Sequence, residues 1–300
     1  MAVRRRGLWS RADRKVGLER RAGRSSAVPA AENEPNGEDG IMDIMEAMAA
    51  RHAVRDFTDE PIGGDVESAL TAAIEESNRE GGLHIQLVHD DTDAFGGCPT
   101  HYGRFKGVRH CIALIGAESD DLDGRIGYYG ERLALEAVRL GLDTGWVVLH
   151  ETRDHDGSWD IAPGERMAAA IAIGHGARPG RPHRSKPVDE LGAIERPVGA
   201  ADAVAADAPV AADASDGLTG APEWFVRALE AVRLAPSALG KQPYRFTLME
   251  DGCTVRADML DGVQPAIGLG VARLHFELGA DGADFRWQDR PESHRTSSNS

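Results

Sequence analysis

"GYYGERLALEAVRLGLDTGW", residues 127–146, reads as an amphipathic helix running into an apolar stretch. Leu133, Ala137 and Leu140 fall on one stripe at helical spacing, and Gly141 stands where the helix should stop. Sliding the chain by 141 positions lays this stretch over "GLGVARLHFELGADGADFRW", residues 268–287. Gly127, Arg132, Leu133, Glu136, Gly141, Asp143 and Trp146 then meet Gly268, Arg273, Leu274, Glu277, Gly282, Asp284 and Trp287. That is seven identities in twenty positions, where chance pairing gives about one or two. A second match, at a shift of 159, puts "ALTAAIEES" on "ALEAVRLAP". Two amphipathic helices share composition by default, but the common tryptophan offset favours duplication. Similar halves pack about a pseudo-twofold axis, as in a symmetric dimer.

Working outward, "IMDIMEAMAA" is apolar at helical spacing, and "DVESALTAAIEES" predicts a second helix with Asp65 as N-cap. "LHIQLVHD" alternates as a half-buried strand, and "CIALIGA" suits a strand buried on both faces. "GWVVLHE" and "AAAIAIGHG" each predict a strand end. "PEWFVRALEAVRLA", "YRFTLME" and "AIGLGVARLHFELGA" give helix, strand and helix in the second half. The boundaries are therefore a basic tail at 1–40, a first half at 41–196, an Ala/Asp/Pro-rich linker at 197–220, a second half at 221–290 and a disordered tail at 291–300.

The formal charge of −15 argues against a general nucleic-acid binder. Residues 1–30 hold nine basic and two acidic residues, so the rest of the chain carries about −22. No apolar run approaches the length of a membrane span or of a secretory signal core. Three cysteines, Cys98, Cys111 and Cys253, point to a reducing, cytoplasmic setting.

Two stretches carry candidate chemistry. "RHAVRDF" places Arg51, His52 and Arg55 within five positions, and two guanidinium forks so close suit a phosphate, or else complement a helix end. "LAPSALGKQPYRFTL" offers Ser237 and the permissive Gly240 in a helix-terminating turn that lets backbone approach a flat ligand, or is simply a loop. "CPTHYGRFKGVRHC" holds Cys98, His101, His110 and Cys111, but His110 and Cys111 point oppositely on a strand, so zinc is set aside. "GLGVAR" is half of a dinucleotide fingerprint inside the repeated helix and is set aside too.

Taken together, "RHAVRDFTDEPI", "APSALGKQPYRF" and "ERLALEAVRLGLDTGWVV" resemble the three signatures of the nitroreductase family of FMN enzymes, in its single-chain, double-length branch. The resemblance implies an α+β fold, in which a mixed, mainly antiparallel sheet is flanked by helices, with two pseudo-symmetric halves in one chain. It implies one FMN per chain, held between the phosphate motif of the first half and the proline-serine motif of the second. By that likeness Arg51 and His52 bind phosphate, and Arg55 lies nearer the flavin pyrimidine. Pro236, Ser237, Ala238 and Gly240 pack against the ring, and the backbone of Val148 and Leu149 faces its edge. Arg184 or Lys186, in "RPHRSKPVDEL", finishes the phosphate site. The family serine is here Ala53, and the family asparagine is Gly240.

The implied activity is electron transfer from NAD(P)H to a nitroaromatic, quinone or similar flat acceptor by ping-pong flavin chemistry, with no catalytic side chain required. The implied partners are small molecules, with no nucleic acid and no membrane, and the chain is a monomer or weak homodimer. The first alternative is an FMN-binding protein without turnover, such as a sensor, flavin store or interaction module. The second is a structural or metal-binding protein without flavin.

Overall fold

In a computed structural model the described residues are 42–101, 103–154, 157–180, 184–195 and 216–288. The expected tails and residues 197–215 of the expected linker lie outside them. The elements run α1 (Ile44–Ala50), α2 (Gly64–Gly81), β1 (Gln86–Val88), β2 (His110–Ala117), α3 (Leu122–Arg139), β3 (Asp143–Val147) and β4 (Glu165–Gly174). They continue with α4 (Val188–Leu191), β5 (Gly192–Ile194), α5 (Glu223–Arg233), β6 (Tyr244–Leu248), β7 (Thr254–Met259), α6 (Pro265–Gly279) and β8 (Arg286–Trp287).

Local chemistry accounts for the boundaries. Asp43 caps α1 by accepting from Met45 N and Glu46 N, and Glu46 returns a bond to Asp43 N. The N-cap of α2 is Gly63, and Asp65 is the second residue of its first turn, so the expected cap is corrected by two residues. Asp65 still faces the positive end of the helix from there. Gly141 takes φ +83 just beyond α3, the left-handed stop its position predicts. Pro265 opens α6, where its missing N–H has no helical partner to lose.

Four strands form a first, wholly antiparallel sheet in the order β1-β2-β4-β3. The second sheet has the order β5-β6-β7-β8, antiparallel between β6 and β7 and parallel at both edges. The architecture is thus the mixed, mainly antiparallel α+β arrangement expected. The second sheet takes its first strand from residues 192–194, ahead of the linker stretch.

β2 is buried on both faces, as its unbroken apolar run predicts. Ile112 and Leu114 face α2 and α3, with Leu70, Ile74, Ile126 and Leu133. Cys111, Ala113 and Ile115 face the other way, toward Phe57, Phe95 and Val108. A third core joins α5, α6 and the second sheet around Phe225, Phe246 and Phe276. Phe246 stacks on Phe276 at 4.9 Å between centroids. Trp146 touches both the first and the third core.

The order helix, strand, strand, helix, strand occurs twice, as α2-β1-β2-α3-β3 and as α5-β6-β7-α6-β8. The two long helices meet backbone to backbone. A Cβ on Gly127 would overlap Ile267 O and lie 3.0 Å from Val271 N. A Cβ on Gly270 would overlap Gly124 O and lie 2.9 Å from Tyr128 N. The contact is reciprocal, each glycine resting on the other helix at matching positions. Its register pairs residues 143 apart, two more than the offset of the sequence match. Among the described residues, no helix is long and apolar enough to cross a membrane.

Gly127→Ala and Gly270→Ala are each expected to destabilise the chain by about 1–3 kcal/mol or more, since the clash is with immovable backbone. Chemical denaturation measures this. Acid sensitivity is expected at His110, which is 3% exposed and accepts the Asp90 N–H at Nδ1, 3.0 Å away. Burial, and then the nearby His89, hold its pKa below the ordinary histidine value. The unfolded chain therefore takes the proton first, and stability falls as pH drops through about 6.5. His110→Gln, which keeps an acceptor but cannot titrate, should flatten that slope in denaturation curves taken from pH 7.5 to 5.5.

Candidate functional site

Residues 51–57 leave α1 as an extended segment laid along β3. Val54 N donates to Thr144 O at 2.9 Å, and Gly145 is bare because Val54 O occupies the space of its missing side chain. The extended path sorts the side chains. Arg51, Val54 and Phe57 are buried, His52 is half-buried, and Ala53 and Arg55 are exposed. His52 Nδ1 donates to Ala50 O at 2.6 Å, which fixes the ring. Arg55 places its guanidinium 5.9 Å from the Phe105 ring centroid. Arg178 binds Asp56 and holds its carboxyl below the usual range.

Arg51 is 3% exposed, and its Nε lies 3.4 Å from Glu131 Oε1. Burial lowers the pKa of Arg51, and Glu131 acts against that. Glu131, on α3, is fully buried and gathers two further groups. The Trp146 indole donates to Oε2 at 2.8 Å, and His275 Nε2 of α6 lies 3.1 Å from Oε1. His275 Nδ1 donates in turn to Ala231 O, in α5, at 3.0 Å. A second junction mirrors this one. Glu277 of α6 accepts from Tyr128 of α3 at 2.6 Å and from the Trp287 indole at 2.8 Å. Each long helix thus offers a carboxylate to the other, and each carboxylate takes the indole of the strand that follows its own helix.

Three residues after Ala231, the chain leaves α5 for the turn at Pro236–Gly240. Gln242 shapes this turn. It is 2% exposed with φ +45, and its side-chain amide donates to Arg233 O at 3.1 Å, with longer contacts to Val232 O and Ala235 O. Arg233 closes α5, and the amide and the Ser185 hydroxyl both donate to its carbonyl. Gln242 Oε1 accepts Lys186 N at 2.7 Å, and Gln242 O accepts Lys186 Nζ at 3.1 Å. Gln242 N donates to Ser237 Oγ at 2.8 Å, which leaves the hydroxyl hydrogen to point elsewhere. Leu239 and Gly240 both have positive φ and are exposed. A Cβ on Gly240 would meet nothing nearer than Arg184 O at 3.9 Å. The result is an exposed turn, bare of side chain at Gly240, beside a serine hydroxyl, the Lys186 ammonium and the Arg184 main chain.

The expected site residues fall into two linked groups. Arg184 and Lys186 stand at the Ser237–Gly240 turn. Gly180 rests on His52, where a Cβ would run into the histidine side chain and lie 3.3 Å from its backbone. Four peptide units join Gly180 to Arg184, a reach of at most about 14 Å. This bounds the span between His52 and the serine-bearing turn, which lie far apart in sequence. Arg55, Val148 and Leu149 surround the loop at residues 99–107 instead. Val148 O accepts His101 N at 2.8 Å, Leu149 pairs with Thr100, and Arg55 O accepts Lys106 N at 2.9 Å. Leu149 is buried in the second core, so only its main chain has a further role open to it.

The family described as "Putative TM nitroreductase" matches residues 43–280. The chain belongs to this family. Among solved structures, a "putative nitroreductase" from Thermotoga maritima is 18% identical, covering 83% of this chain and 88% of its own, with a TM-score of 0.46. A "putative nitroreductase in complex with FMN" from Desulfovibrio desulfuricans is 21% identical, covering 49% of this chain and 93% of its own, with a TM-score of 0.39. An "FMN-dependent nitroreductase" from Clostridium difficile is 16% identical over 46% of this chain and 90% of its own, with a TM-score of 0.38. A comparison with curated proteins gave no match.

Motif reading of this nitroreductase-family chain assigned no role to Glu131, His275 or Gln242, although Glu131 and Gln242 stand within the quoted signatures. Glu131 had a signal. It stands four and seven residues before Leu135 and Val138 on a buried stripe of α3, where an apolar side chain is the rule. His275 interrupts the apolar face of α6 in the same way. Gln242 had none beyond its place before Pro243. Gln242→Ala removes the donor to the α5 carbonyls and the acceptor for Lys186 N. A loss of about 2–3 kcal/mol in stability is expected, with faster amide exchange across residues 236–243. Hydrogen-exchange mass spectrometry reads the second effect directly.

Proposed function

We propose that this chain is an FMN-dependent oxidoreductase that passes electrons from NAD(P)H to a nitroaromatic, quinone or similar flat acceptor in alternating half-reactions. The observation that carries the reading is the turn at Ser237–Gly240, which Gln242 locks to the cationic segment at Arg184–Lys186. Membership of the nitroreductase family supports it. His52, Arg184 and Lys186, with Arg51 behind them, would hold the phosphate. Ser237 would donate its hydroxyl to the ligand, the bare backbone of Gly240 would let the ring approach, and the exposed Leu239 side chain would offer it an apolar contact. Arg55, exposed at the far end of the extended segment, would place positive charge near the polar edge of the ring. The chemistry supplied by bound FMN is two-electron transfer, from a nicotinamide donor to a second acceptor. The protein binds, orients and shields. The three free cysteines, two of them buried, suit a reducing, cytoplasmic setting. The joining of both motifs in one chain suits a monomer or weak homodimer.

A second reading, an FMN-binding protein without turnover, draws on Ala53. This residue is exposed in the phosphate segment where the family signature has a hydroxyl.

The visible spectrum separates these readings. The purified protein, supplied with FMN, should show a bound-flavin spectrum. Anaerobic NAD(P)H should bleach it, and a quinone or nitroaromatic should restore it. A bound flavin that no nicotinamide bleaches would favour the second reading, and a chain that takes up no FMN would defeat both.

A further inference from the structure

The buried group around Glu131 has no part in the reading above, yet it bears directly on Arg51. We propose that Glu131 is a positioning residue for the phosphate end of the site. By engaging the Nε edge of Arg51, it turns the opposite Nη edge of the same guanidinium toward the FMN phosphate. The inference rests on the FMN reading and adds to it the group that sets phosphate recognition.

The argument is geometric. Guanidinium is a rigid plane with two hydrogen-bonding edges, so fixing one edge fixes the other. Arg51 Nε lies 3.4 Å from Glu131 Oε1, an ion pair without hydrogen-bond geometry, and both side chains are almost wholly removed from water, so the carboxylate is the charge that the Nε edge faces. A carboxylate can orient an arginine only if it is itself immobile. Glu131 is held by the Trp146 indole at 2.8 Å and faces His275 Nε2 at 3.1 Å, and His275 is pinned at its other nitrogen by Ala231 O at 3.0 Å. α3, β3, α6 and α5 each contribute one of these groups, and the residue that follows α1 contributes the arginine. The last contact is made within α5, four residues before Ala235 and the serine-bearing turn. One run of contacts therefore leads from the arginine to the helix that precedes the serine-bearing turn. Arg51 follows α1 directly and precedes His52, the residue on which Gly180 rests.

The test compares FMN with riboflavin, which has the same ring and no phosphate. The full chain, stripped of flavin, is titrated with each while flavin fluorescence is followed. The wild type should prefer FMN by at least about tenfold, the weight of one charge-assisted phosphate contact. Glu131→Gln should lower FMN affinity about tenfold and leave riboflavin within about twofold. In an Arg51→Ala background, Glu131→Gln should not change the ratio further. Parallel loss of both flavins, or no change in either, overturns the proposal, because a merely structural role would not separate them. If Glu131→Gln does not fold, Trp146→Phe removes the indole donor to Oε2 and keeps an aromatic ring between the first and third cores. A several-fold drop in the same ratio then supports the proposal, and an unchanged ratio overturns it. A wild-type chain that takes up neither flavin overturns the FMN reading itself, whereas one that prefers FMN regardless of residue 131 overturns this inference alone.

Discussion

The backbone contact between α3 and α6 at Gly127 and Gly270 is the constraint on which the rest of the structure depends. Helices with ordinary side chains between them stand about 8–10 Å apart. Here the chain of one helix touches the chain of the other, and polar groups a turn or so further along are brought within bonding range. Glu131 follows Gly127 by four residues and His275 follows Gly270 by five, and they meet at 3.1 Å. Tyr128 and Glu277 meet at 2.6 Å across the same seam. With bulkier residues at the crossing, neither pair would form.

Such pairs are not free stabilisers. Removing an arginine and a carboxylate from water carries a penalty that their attraction only partly offsets, and replacing the whole set by apolar side chains is often neutral or better. Their value lies in specificity. An apolar seam tolerates sliding and rotation, whereas a carboxylate gripped by an indole, an imidazole and a guanidinium accepts one register. The same holds at the turn after α5, where one glutamine amide ties down several carbonyls and a neighbouring segment at once. Both devices fix the relation between the two sequence regions that the proposed cofactor must bridge.

Much of this was legible beforehand. Periodicity placed α3, α5 and α6, and the unbroken apolar run placed β2, because burial on one stripe or on two faces leaves a direct trace in composition. The glycine after α3 announced its stop. Short edge elements left no such trace: β5, β8 and α4 are two to four residues long and are defined by pairing with distant chain. The N-cap of α2 was misplaced because glycine at Gly63 carries no capping oxygen to recognise. At the site, motif reading located the cationic segment and the serine turn. It did not foresee that Arg51 would be buried on a carboxylate, since that partner lies 80 residues away and is assembled only by the helix crossing. Nor did the match at an offset of 141 give the register of that crossing, which follows backbone clearance rather than side-chain identity.

The position of β5 has a consequence for how this polypeptide could be divided. Residues 192–194 pair in parallel with β6, although they precede the stretch that separates the two repeated regions. A break within 197–215 would leave the upstream piece bearing an unpaired ribbon and the downstream piece lacking an edge. Neither fragment would be self-sufficient, and each would hold what the other misses. The covalent join is thus laced over by its own neighbouring strand, a topology that favours reassembly of matched pieces over independent life for either.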